Sequence, residues 1–247
     1  MPDLFDTKLR VLRHARARRD GTALFLHERA FEDCLERIAI MDRPFKRALL
    51  IGELGSDWAA RLGSVAAEVE TFPKDGVEDA WHAPQGAYDL ILAIGTLDTV
   101  NGLPLALRLL RHALRPNGLL IGALAGGDTL PQLRAAMRAA DAVAGAAAPH
   151  AHPRIEPAAV APLLEQAGFA RPVVDVDRVR VSYPSLSRLI ADLRAMGATN
   201  MLVQRPHFVG KAGRAAAEQE FAKAGEGTGR TEEIFEIIHF AAWAAAG

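Results

Sequence analysis

The stretch "RALLIGELGSDWAARLG" (47–63) has the makings of a nucleotide-binding turn. An apolar run meets Gly52, Glu53 and Gly55, and a helix-like segment follows. Glycine has no Cβ and tolerates positive φ, so such a turn lets backbone come close to a ligand. The next helix would offer unpaired N–H groups and a positive dipole end. Only two glycines stand at the turn, so a cofactor loop and an ordinary strand–helix connection both fit. Asp98, in "GTLDTVNGLP", suits a base, or a carboxylate that orients a guanidinium or amine by paired hydrogen bonds. It equally suits a cap on the helix starting near Leu103. His150 and His152, in "PHAHP", could share a metal only with further ligands, and no cysteine or acidic cluster adjoins them in sequence. No metal is therefore expected, and a lid over the site suits this segment better. His239 is expected on the surface of the last strand, and Cys34 as a small packing residue. No Ser-His-Asp order, zinc spacing or "GxxxxGK" loop is present, which argues against hydrolase and triphosphatase chemistry.

The chain that must position these groups has 247 residues, half of them apolar, enough to bury a sizeable core. A net charge of −1 argues against nucleic acid. No apolar run approaches the roughly 20 residues of a membrane span. The expectation is a cytoplasmic protein that is not integral to a membrane, with peripheral association left open. One cysteine allows no internal disulfide.

The first 45 residues read as helices, the first of them a basic surface helix with Leu9, Leu12 and Ala15 inward. Alternation follows. Strand-like runs at 47–52, 65–72, 88–95 and 119–125 are interleaved with helical stretches at 103–114 and 129–145. Asp128 or Thr129 is well placed to cap the 129–145 helix. A helix at 156–169, a half-exposed strand at 171–183 and a helix at 185–197 come next. The last strand covers 234–243. This order predicts an α/β fold with a mostly parallel sheet and an antiparallel pair at one edge. The expected organisation is a single domain. Residues 1–45 form a helical cap, 46–183 the core, 184–233 a helical lid insertion and 234–247 the last strand.

Specific residues narrow the class. "YDLILAIGTLDTVNGLPLALRLLRHALRPNGLLIGALAGGDTLPQLR" (88–134) resembles the second half of a class I, S-adenosylmethionine-dependent methyltransferase. Its "RPNG" makes the tight turn into the next core strand. "GALAGGDTLPQLR", "LLEQAGFARPVVDVDRVRVSYPSLSRLIADLRAMGATN" and "IFEIIHFAAW" resemble two related groups. One is the malonyl-carrier-protein O-methyltransferase of biotin synthesis. The other is the methyltransferase-like assembly factor of respiratory complex I, which the N-terminal "LFDTKLRVLRHARARRD" resembles better.

The resemblance implies a Rossmann-like, seven-stranded sheet with helices on both faces and S-adenosyl-L-methionine at the C-terminal edge of the first strands. It implies Gly52, Glu53, Gly55 and Gly95 along the donor, Glu70 for the ribose hydroxyls and Asp79 for the adenine, with Glu78 its neighbour. Trp81 would pack on the adenine or in the core. Asp98 and Tyr183 are the catalytic candidates, and Asp128, Arg194 and Asn200 the substrate candidates, with Met196 and Gly197 beside them. The turn departs from the family pattern of three close glycines after an acid: Leu50 stands in the acid slot, and Leu54 and Ser56 in the second and third glycine slots. The span from Gly52 to Asp89 is also short by roughly one helix and one strand. Three readings follow from the resemblance. The first is a methyltransferase acting on a protein or a carrier-protein acyl group. The second is a non-catalytic assembly or binding factor for a respiratory complex, binding the donor weakly or not at all. The third is a protein-arginine hydroxylase.

Overall fold

The computed structural model describes residues 3–52 and 54–245. Two helices, α1 (Thr7–Asp20) and α2 (Phe25–Ile40), precede β1 (Phe45–Ile51), the short α3 (Trp58–Leu62) and β2 (Ala66–Thr71). Then come β3 (Tyr88–Ile94), α4 (Leu103–Ala113), β4 (Leu114–Ala125), α5 (Pro131–Ala144) and α6 (Pro157–Gln166). The chain closes with β5 (Phe169–Tyr183), α7 (Leu186–Ala195), α8 (Lys211–Lys223) and β6 (Thr231–Ala244). One sheet holds the strands in the order β2-β1-β3-β4-β6-β5. The first four run parallel, and β6 enters antiparallel between β4 and β5.

The apolar runs at 47–52, 88–95 and 119–125 are continuous because both faces of these strands are covered. Leu49, Ile51, Ile91, Ala93, Leu120 and Leu124 face α4 and α6, meeting Leu107, Leu110, Val160 and Leu164. The alternate residues Leu50, Leu92, Ile121 and Ala123 face Phe31, Cys34 and Ile38 of α2 and Trp58 of α3. So α2 is a layer of the sandwich rather than part of a cap. A third cluster joins α7 and α8 to the ends of β5 and β6 through Leu189, Leu193, Phe221 and Phe235. No described helix is long and apolar enough to cross a membrane.

The sheet has six strands among the described residues, against the seven that the resemblance implied. Residues 72–87 contain turns but no helix or strand, so the sheet ends at β2. "RPNG" does turn, with Asn117 at φ 60, but as a bulge inside β4, where the register against β3 jumps from Leu114 to Leu119. His239 is not on the strand surface. It is buried, with Nδ1 3.1 Å from Asp33 Oδ2, because β6 is an inner strand rather than an edge.

The cap of α5 is also not local. Leu130, in a left-handed conformation, precedes the helix. The first free amides, of Gln132 and Leu133, donate to Glu233 Oε1 and Oε2 at 3.1 and 2.8 Å. Thr129 instead bonds the Glu236 backbone in both directions. Burial pushes the Glu233 carboxyl up against the pull of these amides. Glu233→Ala strips two helix-end donors of their acceptor, so urea unfolding is expected to show a loss of about 2 kcal/mol. Glu233→Gln keeps one acceptor oxygen and should lose less.

Candidate functional site

The turn after β1 is used by the protein itself. Gly52 has φ +85, and a Cβ there would lie 2.1 Å from the Ile94 carbonyl oxygen and 2.7 Å from a Thr96 methyl. The missing side chain therefore lets the ends of β1 and β3 close together. At Gly55 a Cβ would sit 2.2 Å from the Trp58 indole nitrogen. That indole stacks on Phe31 and donates to Glu28 at 2.6 Å. Glu53 lies outside the described residues.

The expected donor-binding acids are engaged elsewhere. Glu70 points from edge strand β2 to Arg47, 2.9 Å away and half exposed, and does not border the space beside Gly52. Asp79 accepts the N–H of Gly102, the residue that precedes α4, at 2.6 Å, and neither it nor Asp98 caps the free amides of that helix. Trp81 packs edge-on against Phe72 within the core. Glu78 is buried and bidentate to Arg10, with Nη1 and Nη2 at 2.8 and 2.7 Å from its oxygens. Arg10 also donates to Thr99 Oγ1 and the Thr96 carbonyl, both at 3.1 Å.

The guanidinium thus joins α1 to the loops after β2 and β3, over the C-terminal edge of the sheet. It is there because α1 sits the other way round from the sequence reading. Leu12 is 66% exposed, while Arg10, His14 and Ala17, spaced i, i+4 and i+7, turn inward. Gly197, at φ +72, lets the backbone of α1 approach the end of α7, with Arg13 O 3.0 Å from where a Cβ would be. What is left beside Gly52, bounded by Arg10, His14, Phe72 and Pro73, is a space of about 30 Å³.

A larger cavity of about 90 Å³ lies at the C-terminal ends of β3 and β4, under α1, α2 and α7. Asp98 reaches it, paired with Arg154 at 3.1 Å. Burial pushes the Asp98 carboxyl up against the pull of that guanidinium. Gly95, at φ +64, makes room for the His27 ring 2.8 Å from its missing Cβ. His14, His27 and His152 border the cavity too, and burial holds them at about 3, about 4 and about 3. They are neutral at physiological pH. His27 Nδ1 and both His152 nitrogens have no hydrogen-bond partner. Unpartnered buried polar atoms are uncommon, and these belong to residues that line the cavity.

Met196 and Gly197 border this cavity, but the other substrate candidates do not. Arg194 is exposed on α7. Asn200 donates to Pro149 O at 2.5 Å and accepts from Leu202 N, so its amide joins connecting segments. Asp128 pairs at the surface with Arg178 at 3.0 Å. Tyr183 is buried in the cluster of α7 and α8, where burial raises its phenol, and it does not border the cavity. Of the expected site residues the fold therefore brings Asp98 and Gly95 together and leaves Gly52 beside the smaller space. Arg10, His14, His27 and Arg154 were missed. The i, i+4 spacing of Arg10 and His14 was the one available signal, and the leucines of the opposite face outweighed it.

A parallel sheet entered by an antiparallel penultimate strand, with its cavities at the C-terminal strand ends, defines the class I methyltransferase-type fold. Residues 11–173 match the family described as a methyltransferase domain, and the chain belongs to that family. It is 33% identical to the "Arginine-hydroxylase NDUFAF5, mitochondrial" of Danio rerio, over 64% of this chain and 50% of that protein. It is 34% identical to the "Malonyl-[acyl-carrier protein] O-methyltransferase" of Xylella fastidiosa (strain M23), over 76% of this chain and 60% of that one. The chain thus spans about half of the length of these relatives. Among solved structures, Haemonchus contortus phosphoethanolamine N-methyltransferase 2, in complex with S-adenosyl-L-methionine, superposes with a TM-score of 0.51. That match has 12% identity and covers 87% of this chain and 52% of the other, a likeness of fold.

The family implies S-adenosyl-L-methionine as methyl donor. Its adenosyl half does not fit the described residues beside Gly52. The buried acid there is saturated by Arg10, the glycine clearances are taken by Thr96 and Trp58, and the space is about 30 Å³. Pockets that enclose small ligands run to about 300–1,000 Å³.

Proposed function

We propose that this chain is a methyltransferase-fold protein that works by engaging a protein partner, with its donor cleft closed by its own first helix. The Arg10–Glu78 pair is the observation that carries this reading. A buried bidentate pair with two further bonds from the guanidinium is a built contact, since a charge left unpaired in that position would be strongly unfavourable. In this reading the sheet, α2 and the α7–α8 insertion serve as scaffold, and α1 forms the gate. The relatives' names, an arginine hydroxylase and a methyltransferase acting on a carrier protein, support a protein as the partner. Titration calorimetry of the native chain with S-adenosyl-L-methionine and with its demethylated product is expected to give no saturable heat. Binding on the order of micromolar to either would overturn the reading.

The unpartnered imidazole nitrogens favour a second reading, in which a polar side chain of the partner enters the cavity beside Asp98 and is modified there. Mass spectrometry of a co-expressed partner separates the two. A methyl or oxygen addition supports modification, and an unchanged partner supports the scaffold.

A further inference from the structure

Outside the cavity, three side chains of metal-ligand type converge from three parts of the chain. Asp141 lies on α5, His150 on the connection to α6, and His207 on the connection to α8. His150 Nε2 is 2.7 Å from Asp141 Oδ1, and His207 Nε2 is 3.5 Å from the same oxygen. One ligand atom from each lies within 4.8 Å of the others. The other Asp141 oxygen, Oδ2, accepts the Ala148 backbone N–H at 3.0 Å, which fixes the carboxylate and leaves Oδ1 to the histidines. The side chains of His150 and Asp141 are 9% and 12% exposed, that of His207 33%. His207 Nε2 is shielded from solvent and has no hydrogen-bond partner. The two imidazoles meet edge to face at 81°. A simple aspartate–histidine hydrogen bond accounts for the first contact but leaves the second ring, and its empty-handed nitrogen, unexplained.

We propose that Asp141, His150 and His207 form a site for a divalent first-row transition ion such as zinc. Two imidazoles and one carboxylate suit borderline ions. They suit magnesium and calcium poorly, because those prefer an all-oxygen shell. Binding needs each Nε2 bare, with the ring proton on Nδ1, so the Asp141–His150 hydrogen bond gives way to two bonds to the ion. Three protein ligands leave a fourth position for water. The site would pin two connections at one point. His150 lies two and four residues before His152 and Arg154, which border the central cavity, and Asn200 already bonds Pro149 O from the other connection. The ion would therefore hold Arg154 in place against Asp98, with His152 beside it at the cavity.

The full-length chain, stripped with chelator, should be titrated with Co²⁺ while the visible absorption is followed, and then challenged with Zn²⁺. The expected result is one ion per chain, on the order of micromolar or tighter, displaced by zinc. His207→Ala and His150→Gln should each weaken binding by roughly tenfold or more, and His82→Ala, an exposed histidine elsewhere, should leave it unchanged. His207 lies on a surface connection, so its loss does not threaten the fold, and circular dichroism checks this for every variant. Absence of saturable binding below about 100 μM, or binding that survives both substitutions, overturns the proposal.

Discussion

Arg10→Ala is expected to lower the unfolding free energy by about 3–5 kcal/mol, the range found when one partner of a buried ion pair is removed. Arg10 is 3% exposed and Glu78 2%. Alanine leaves the Glu78 carboxylate in the interior without its cation, and Thr96 O and Thr99 Oγ1 without a donor. In a chain of this size each kcal/mol moves the melting temperature by roughly 2–4 °C, so a fall on the order of 10 °C is expected in a thermal scan. The paired substitution Arg10→Met with Glu78→Leu removes both charges together and should recover most of the loss. The cleft provides a second readout. With the guanidinium gone, the space beside Gly52 widens and Glu78 is freed, so calorimetry should detect S-adenosyl-L-methionine binding in Arg10→Ala where none is expected of the native chain. Stability within 1 kcal/mol of the native chain would show that α1 is not docked as described, and the closed-cleft reading would fall with it.

The second large effect is a loss of stability in mild acid. His14, His27 and His152 are held by burial at about 3, about 4 and about 3, against the ordinary value near 6.5. The folded chain keeps all three neutral at pH 5, whereas the unfolded chain protonates them from about pH 6.5 downward. The unfolded state then binds more protons, so stability falls as pH drops through that window. Each imidazole contributes about 2 kcal/mol between pH 6.5 and 5, and the three together several kcal/mol. His239 adds in the same direction, because burial lowers it too, against the opposing pull of Asp33. Urea midpoints at pH 7 and pH 5 measure the effect. His152→Asn has no titrating ring and should flatten the profile. A native midpoint that does not move between the two values would mean that the rings meet solvent freely.

Much of the fold was legible because its signals are local. The runs around Leu49, Leu90 and Leu120 are apolar on both faces, and only strands covered on both sides need that. The alternation along 171–183 marked β5 as a strand with one face in water, and it is the edge strand. The shortened span after β2 was visible as missing length, and it is one lost edge strand. The site was far less legible. Asp98 was found because it follows a strand end. Tyr183 and Arg194 lie in a stretch that resembles the family, yet one is buried in the lid cluster and the other faces solvent.

By itself the sequence determined the order of strands and helices, their parallel sense, and a first turn poor in glycine. Those follow from side-chain periodicity and turn chemistry within a few residues. The tertiary structure alone decided what occupies the cleft. Arg10 meets Glu78 across 68 residues, Leu133 meets its cap Glu233 across 100, and Arg154 meets Asp98 across 56. Each pair forms because docked elements exclude water and leave a buried polar group needing a partner. No local pattern records which distant residue supplies it. The inward turn of α1 is the plainest case: the helix carries Leu12 and Arg10 on opposite faces, and only the polar groups at the sheet edge selected the arginine.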